Sequence, residues 1–406
     1  MLTPFRMLYP SAALAADVAA PPFDVVTVAE ARRIAEGNPY CFLRVSRAEL
    51  ELTDAAAAES AASIDPAVYR RGADNLQRMI GDGVLRQAKR PQYGVYRLSA
   101  GDHRQTGLVG LASLPDYRDG SVLTHERTVP ERVADRAALI AAHRSHSGLV
   151  LAFADFPTDL LALTDTLAAA PPFAALEADD VLHEVWLVED EDTVARMAAA
   201  CDALPAIYIA DGHHRSAAAM SAWAERDYQP PDGFPVALFP SDQVTTLSYN
   251  RVLTSLGAGD VEQLLQAIAE HYSIGHCPQP AGETPQYGFD FYTGTRWQRA
   301  TPISAPPLDD DGVPMHAVSL LRERVLGPVL GVDDERSDPR VEFVGGDVSP
   351  SALAARFAVG DIAAAFWMAP TPVPYLRQVA DRRGVMPAKS TWFSPKLRDG
   401  LFVHSF

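Results

Sequence analysis

Apolar and polar positions along the chain switch between strand-like and helix-like order, and the switches predict a mixed α/β fold. Near the start, Asp24-Val25-Val26 reads as a strand end. Residues 28–36 then read as a helix opened by Thr27 as N-cap with Glu30 three positions on, the pattern of a capping box. Gly37-Asn38-Pro39 stops that helix, and Cys41-Phe42-Leu43-Arg44-Val45 is expected as the next strand. An Ala-rich polar stretch over 54–62 precedes a helix over 66–80. Segments 92–98 and 106–111 read as an antiparallel pair, 131–143 as a helix and 148–153 as a strand. The centre alternates strand 183–188, helix 190–204 and strand 206–210. A Pro-rich loop over 228–235 is followed by strand pattern at 236–240 and 246–253, and a helix at 261–271. Strands around 287–292 and Gln298 come next, then a helix over 318–329, with the Pro- and Asp-rich 302–314 as a loop or linker.

The sharpest break in the pattern is Ile207-Tyr208-Ile209-Ala210-Asp211-Gly212-His213-His214-Arg215-Ser216, where an apolar run stops at a glycine and polar residues follow. Physically this is a buried strand, a tight turn and the first turn of a helix. Such a turn aims free backbone N–H groups at whatever lies above it, and that favours an anion. The G-x-x-x-x-G-K-[ST] and G-x-G-x-x-G phosphate loops are absent, and adjacent His213 and His214 do not have zinc-ligand spacing. The run therefore reads as an anion cradle of Gly212, His213, His214, Arg215 and Ser216, or as an ordinary strand-to-helix connection with solvated polar residues. In the cradle reading Arg215 offers a planar fork to phosphate and a histidine a donor or a proton. Asp211 would repel phosphate unless it binds Mg²⁺, takes a proton from a hydroxyl or orients a histidine.

Composition narrows the partners. The 406 residues suit two or three domains; 48% are apolar and 21% charged, as in a globular protein. The net charge of −17 argues against nucleic acid as a main partner. Cys41, Cys201 and Cys277 have no C-x-x-C spacing and suggest reduced, cytoplasmic thiols. The Ala-rich patch Ser11-Ala12-Ala13-Leu14-Ala15-Ala16 is broken by Asp17 and is not read as an export signal, and no run of eighteen apolar residues suggests a membrane span.

A second candidate is His125-Glu126-Arg127-Thr128-Val129-Pro130. Glu126 reads either as a surface or capping charge before a helix, or as a general base for a phosphoryl acceptor. Weaker sets are Asn250-Arg251, directly after a strand pattern, and Lys389-Ser390-Thr391 with Lys396; either set also suits a solvated surface. Asp24 reads as a cap or turn former, and His143, His146, His183, His271 and His316 as surface or satisfied core.

Several blocks together resemble the bacterial and archaeal family DUF1015 over nearly the whole chain: Ala20-Pro21-Pro22-Phe23-Asp24-Val25, Asn38-Pro39, His125-Glu126-x-Thr128, Tyr208 to Arg215, and Met386-Pro387-x-Lys389-Ser390-Thr391-x-Phe393-x-Pro395-Lys396. Phe23 and Ser216 stand where that family usually has tyrosine. The D-G-H-H-R turn also resembles the nucleotide-phosphate loop of the ParB/sulfiredoxin-like fold, in particular that of free-serine kinases, where an H-E-x-x-x-P segment carries a catalytic glutamate. The resemblance implies a ParB/sulfiredoxin-like core over 116–255 with an insertion near 154–182, flanked by α/β regions at 1–115 and 256–406. It implies Glu126 as base with Asp211 and His213 in the catalytic set, and Gly212 to Ser216 on the nucleotide. His125, Thr128, Asn250, Arg251, Lys389, Ser390 and Thr391 are the expected substrate contacts.

The expected function is phosphoryl transfer on a small hydroxylated metabolite, serine or phosphoserine, with ATP or ADP, Mg²⁺ on Asp211, and a homodimer as the form of the protein. The alternative is a nucleotide- or anionic-metabolite-binding switch without catalysis.

Overall fold

The computed structural model describes residues 1–52, 65–278, 280, 284–309, 312–387 and 389–406. The Ala-rich stretch expected over 54–62 and part of the 302–314 loop lie outside the described residues. The chain is a mixed α/β protein of two compact units. One comprises residues 1–124, 128–244 and 395–406; the other comprises 125–127 and 245–394.

The first unit is built on a nine-stranded sheet. Along it run Val122–Leu123, Ile207–Asp211, Val150–Ala154, Gly233–Pro240, His103–Ser113, Tyr93–Ala100, Val181–Val188 and Ala174–Ala178, with Leu2–Thr3 added against His103–Ser113. Gly233–Pro240 lies parallel to Val150–Ala154 and antiparallel to His103–Ser113, and all eight of its residues are buried. A central strand covered on both faces needs a continuous apolar run rather than alternation, and this one has it. Strands from 1–115 and from 116–255 pair residue by residue in this sheet, as Tyr93–Ala100 does with Val181–Val188. Segment 154–182, expected as an insertion, contributes helix Thr158–Ala168 and the edge strand Ala174–Ala178, and Leu160, Leu163 and Ala168 sit in the core of the unit. The last residues belong to this unit too, with His404–Ser405 paired to Ser145–His146.

Two local expectations near the N-terminus are corrected. Phe23–Val25 is a 3-10 turn rather than a strand end, and Leu43–Ser46 is a short helix where 41–45 was expected as a strand. Cys41, Phe42, Leu43 and Val45 are all buried in one core cluster with Leu76 and Met79. A short run buried on every side carries no period that separates strand from helix. The helix Val28–Ala35 starts as expected, with both hydrogen bonds of the Thr27/Glu30 capping box formed.

The second unit holds a six-stranded sheet ordered Tyr272–His276, Trp297–Pro302, Phe289–Tyr292, Ala364–Met368, Tyr249–Leu253 and Val341–Gly345. Helix Val261–His271 packs Leu264 and Ile268 into a core with Phe289, Phe291 and Phe366. The helix expected over 318–329 is present, but a π-helical turn at Arg322–Leu326 divides it into Ala317–Leu321 and Gly327–Leu330. Among the described residues, no helix is long and apolar enough to cross a membrane.

Candidate functional site

Strand Ile207–Asp211 ends in a register shift against Val150–Ala154 between Ile209 and Asp211. The chain then turns at Gly212, with φ +99°, into helix His213–Ala224. That backbone region favours glycine, and a Cβ at 212 would come within 3.1 Å of Arg215 Nε and 3.3 Å of Val150 Cγ2. The glycine therefore serves both the turn and a close approach.

Arg215 is held from behind. One terminal nitrogen donates to the Leu149 carbonyl, while Nε is buried and has no hydrogen-bond partner. Burial works against its charge, but Asp24, Asp211 and Asp399 outweigh that and hold its pKa above the ordinary value. A cavity of about 30 Å³ borders Arg215, Phe23, Arg136 and Gly148. That is room for a water or two.

Asp399 was not singled out in the sequence. It is 2% exposed, and neither carboxylate oxygen has a hydrogen-bond partner of acceptable geometry among the described residues. Burial pushes its pKa up to about 7, with Arg215 pulling the other way and Asp24 adding to the rise. A Cβ at Gly148 would lie 2.8 Å from Asp399 Oδ1, so a glycine is needed where this carboxylate packs. Nothing local in the sequence signals Asp399. Asp24, read there as a cap or turn former, contributes to the field on Arg215 from the Pro-Pro-Phe-Asp entry.

The remaining loop residues are individually constrained. Lys396 Nζ donates to Asp211 Oδ2 at 2.8 Å. The Asp211 carboxylate thus already has a cation, which resolves its repulsion of an anion without a metal. One carboxylate in an ammonium pair is a poor fit to Mg²⁺, and no group of three or more His, Cys, Asp or Glu among the described residues is placed to hold a metal ion. His213 is buried, and desolvation lowers its pKa to about 4 despite the pull of Asp211, so it is neutral near pH 7. His214 Nε2 accepts a hydrogen bond from the Val129 N–H at 3.0 Å, so that nitrogen carries no proton. Ser216 is wholly buried and donates its hydroxyl to the His213 carbonyl at 3.0 Å. It is turned into the helix instead of toward a ligand.

The other candidates fall mostly in the second unit. There the Met386 N–H donates to the His125 carbonyl at 2.8 Å, and Glu126 pairs with Met386 in a parallel bridge. His125 is buried, with Nε2 3.5 Å from Thr391 Oγ1, the outer limit of a hydrogen bond. Asn250 and Arg251, expected as substrate contacts, are fully buried. Asn250 Oδ1 accepts from the Met368 N–H, while Arg251 reaches Glu335, the Tyr249 carbonyl and the Lys389 carbonyl. Their side chains brace the sheet interior. Ser390 donates to the Pro387 carbonyl, and the Lys389 ammonium lies 5.5 Å from the Tyr249 ring centroid. Thr128 is half-buried in the first unit, on the approach to helix Pro130–His143.

A family model described as a protein of unknown function, DUF1015, matches residues 2–321. The chain belongs to the DUF1015 family. No protein of curated function matches it. Among solved structures it is similar to a free serine kinase in complex with AMP, at 13% identity over 70% of this chain and 86% of that one, with a TM-score of 0.37. It is also similar to SbnI with a C-terminal truncation from Staphylococcus aureus, at 11% identity, 72% and 85% coverage and a TM-score of 0.38. A conserved hypothetical protein from Pyrococcus furiosus aligns at 13% identity, 72% and 93% coverage and a TM-score of 0.36. Likeness at that level carries no weight for the site or the reaction.

Proposed function

We propose that this DUF1015 protein transfers a phosphoryl group between a nucleotide, ATP or ADP, and a small hydroxylated metabolite, serine or phosphoserine being the favoured pair. The observation that carries the reading is the buried, unpartnered Arg215 Nε beside Gly212 at the start of helix His213–Ala224. A buried N–H without an acceptor costs about 1–3 kcal/mol, and a phosphate oxygen is the acceptor that suits a guanidinium edge next to a helix N-terminus. Gly212 leaves the space that a Cβ would fill. The nine-stranded unit is, in this reading, a ParB/sulfiredoxin-like nucleotide core.

Each residue has a stated part. Arg215 and the first amides of the helix neutralise phosphate charge. Lys396 keeps Asp211 from opposing that charge. Glu126 is the base that takes the proton of the acceptor hydroxyl as its oxygen bonds to phosphorus and the bond to the leaving phosphate oxygen breaks. The nucleotide, when bound, supplies the transferable phosphoryl group. No step is assigned to Mg²⁺.

The test is turnover by purified protein given ATP or ADP with L-serine, and given O-phospho-L-serine. Expected are phosphoserine formation or phosphate release, loss of turnover in Glu126→Gln with nucleotide binding retained, and loss of nucleotide binding in Arg215→Ala. Tight nucleotide binding without turnover on any hydroxylated metabolite would replace this reading by a nucleotide-controlled switch.

A further inference from the structure

The second unit contains a pocket of about 340 Å³, near the lower end of the range for small-molecule sites, bordered by Arg127, Met315, Glu335, Arg336, Tyr375 and Met386 among others. Every residue that lines it belongs to that unit. None of its wall residues belongs to the Gly212–Arg215 turn, and of them Arg127, His316, Met386 and Pro387 were named from the sequence.

Its charges are of both signs, and most of them answer one another. Arg336 spends Nε and one terminal nitrogen on Asp334, each at 3.1 Å. Arg322 pairs with Glu323 at 2.9 Å. Two groups of opposite sign remain open. Glu335 is 7% exposed; its Oε2 lies 3.2 Å from Arg251 Nε, while Oε1 is buried with no hydrogen-bond partner. Arg127 is exposed and makes no hydrogen bond or ion pair within the described residues.

Glu335 is also fixed in place. Arg251, fully buried, is tied through one terminal nitrogen to the Tyr249 carbonyl at 2.6 Å and the Lys389 carbonyl at 2.9 Å. The carboxylate it holds cannot swing out to solvent to satisfy Oε1. A buried carboxylate oxygen without a donor is costly, and charged donors recover most from it. One wall of the pocket therefore asks for an N–H cation and another offers a guanidinium to an anion. A simple anion would leave Glu335 unanswered and would be repelled by it; a simple cation would leave Arg127 without a role. A ligand carrying an ammonium and a carboxylate answers both.

We propose that this pocket binds an amino acid, with Glu335 receiving the α-ammonium group and Arg127 the carboxylate. At about 340 Å³ it has room for an amino acid bearing a phosphoryl group as well. Its role as the acceptor site rests on the phosphoryl-transfer reading; the binding itself does not.

Calorimetric titration of the full chain, without nucleotide, tests it with L-serine and O-phospho-L-serine as probes. L-serine amide, which lacks the carboxylate, and L-glycerate, which lacks the ammonium, are the controls. The expected result is binding of a serine probe, weakened at least tenfold by loss of either charged group and by Arg127→Ala or Glu335→Gln. Because Glu335→Gln strips Arg251 of its partner, its folding is checked by thermal melting; Arg127→Ala, at an exposed position, decides the matter if that variant is unfolded. No binding of either serine probe to folded protein, or unchanged affinity in Arg127→Ala, overturns the proposal. A parallel ATP titration separates the two readings: serine binding without nucleotide binding leaves the pocket standing and removes phosphoryl transfer. Nucleotide binding without serine binding does the reverse.

Discussion

His214 Nε2 accepts a hydrogen bond from the Val129 backbone N–H at 3.0 Å, joining the D-G-H-H-R turn to the last residue before helix Pro130–His143. Val129 is the N-cap of that helix, and amides at a helix start have no partner inside it. The histidine side chain supplies one. His214→Ala is expected to lower stability by about 1 kcal/mol in denaturant titration and to speed hydrogen exchange at the Val129 amide. Unchanged exchange there would show the bond to be dispensable.

Gly212→Ala places a Cβ against Arg215 Nε in a backbone region that L-residues disfavour. The expected cost is about 1–2 kcal/mol of stability, with a loss of nucleotide affinity larger than the loss of stability would produce. Calorimetric titration with ATP on the folded variant checks this.

Asp399 has a folded pKa of about 7, above that of an unfolded aspartate near 3.9. Between those values the native state binds more protons than the unfolded one, so this group lowers stability as pH rises through the window and leaves it level above pH 7. Asp399→Asn removes that penalty. The variant should gain stability relative to the parent between pH 4 and pH 7, by an amount on the order of 4 kcal/mol at full extent. Denaturant titrations at pH 4.5 and pH 8 measure the difference, and an equal effect at both would contradict the assignment.

Buried histidines act in the opposite sense. Desolvation holds His143, His213 and His404 near 4, and His183 and His316 near 3, all below an unfolded value near 6.5. The unfolded chain takes up these protons first as pH falls, so stability is expected to drop between pH 6.5 and about 4. One such group is worth on the order of 3 kcal/mol. His404→Phe should flatten the acid limb of a stability-against-pH curve.

Arg251→Met leaves the buried Glu335 carboxylate without its cation. Removing one partner of a buried ion pair costs about 3–5 kcal/mol, so the second unit should melt earlier in a protease-resistance assay. Double replacement with Glu335→Leu is expected to recover most of that loss.

The local structure around Gly212 was legible in the sequence. A strand ending at Asp211, a glycine and a run of donors can form only a few local structures, and the αL turn at Gly212 followed directly by a helix is one of them. The Thr27/Glu30 capping box was equally local and is present as expected. Cys41 to Val45 was not readable, because residues buried on all sides carry no period.

The sequence by itself determined the mixed α/β class, the turn at Gly212, the capping of Val28–Ala35 and most of the central helices and strands, since each depends on residues within a few positions of one another. Only the tertiary structure decided that Lys396 pairs with Asp211, that Asp399 and Asp24 act on Arg215, that Arg251 is an interior brace, and that Glu335 and Arg127 face one pocket. Those relationships join positions far apart in the chain, and their energy comes from desolvation, which exists only once the surrounding chain has excluded water.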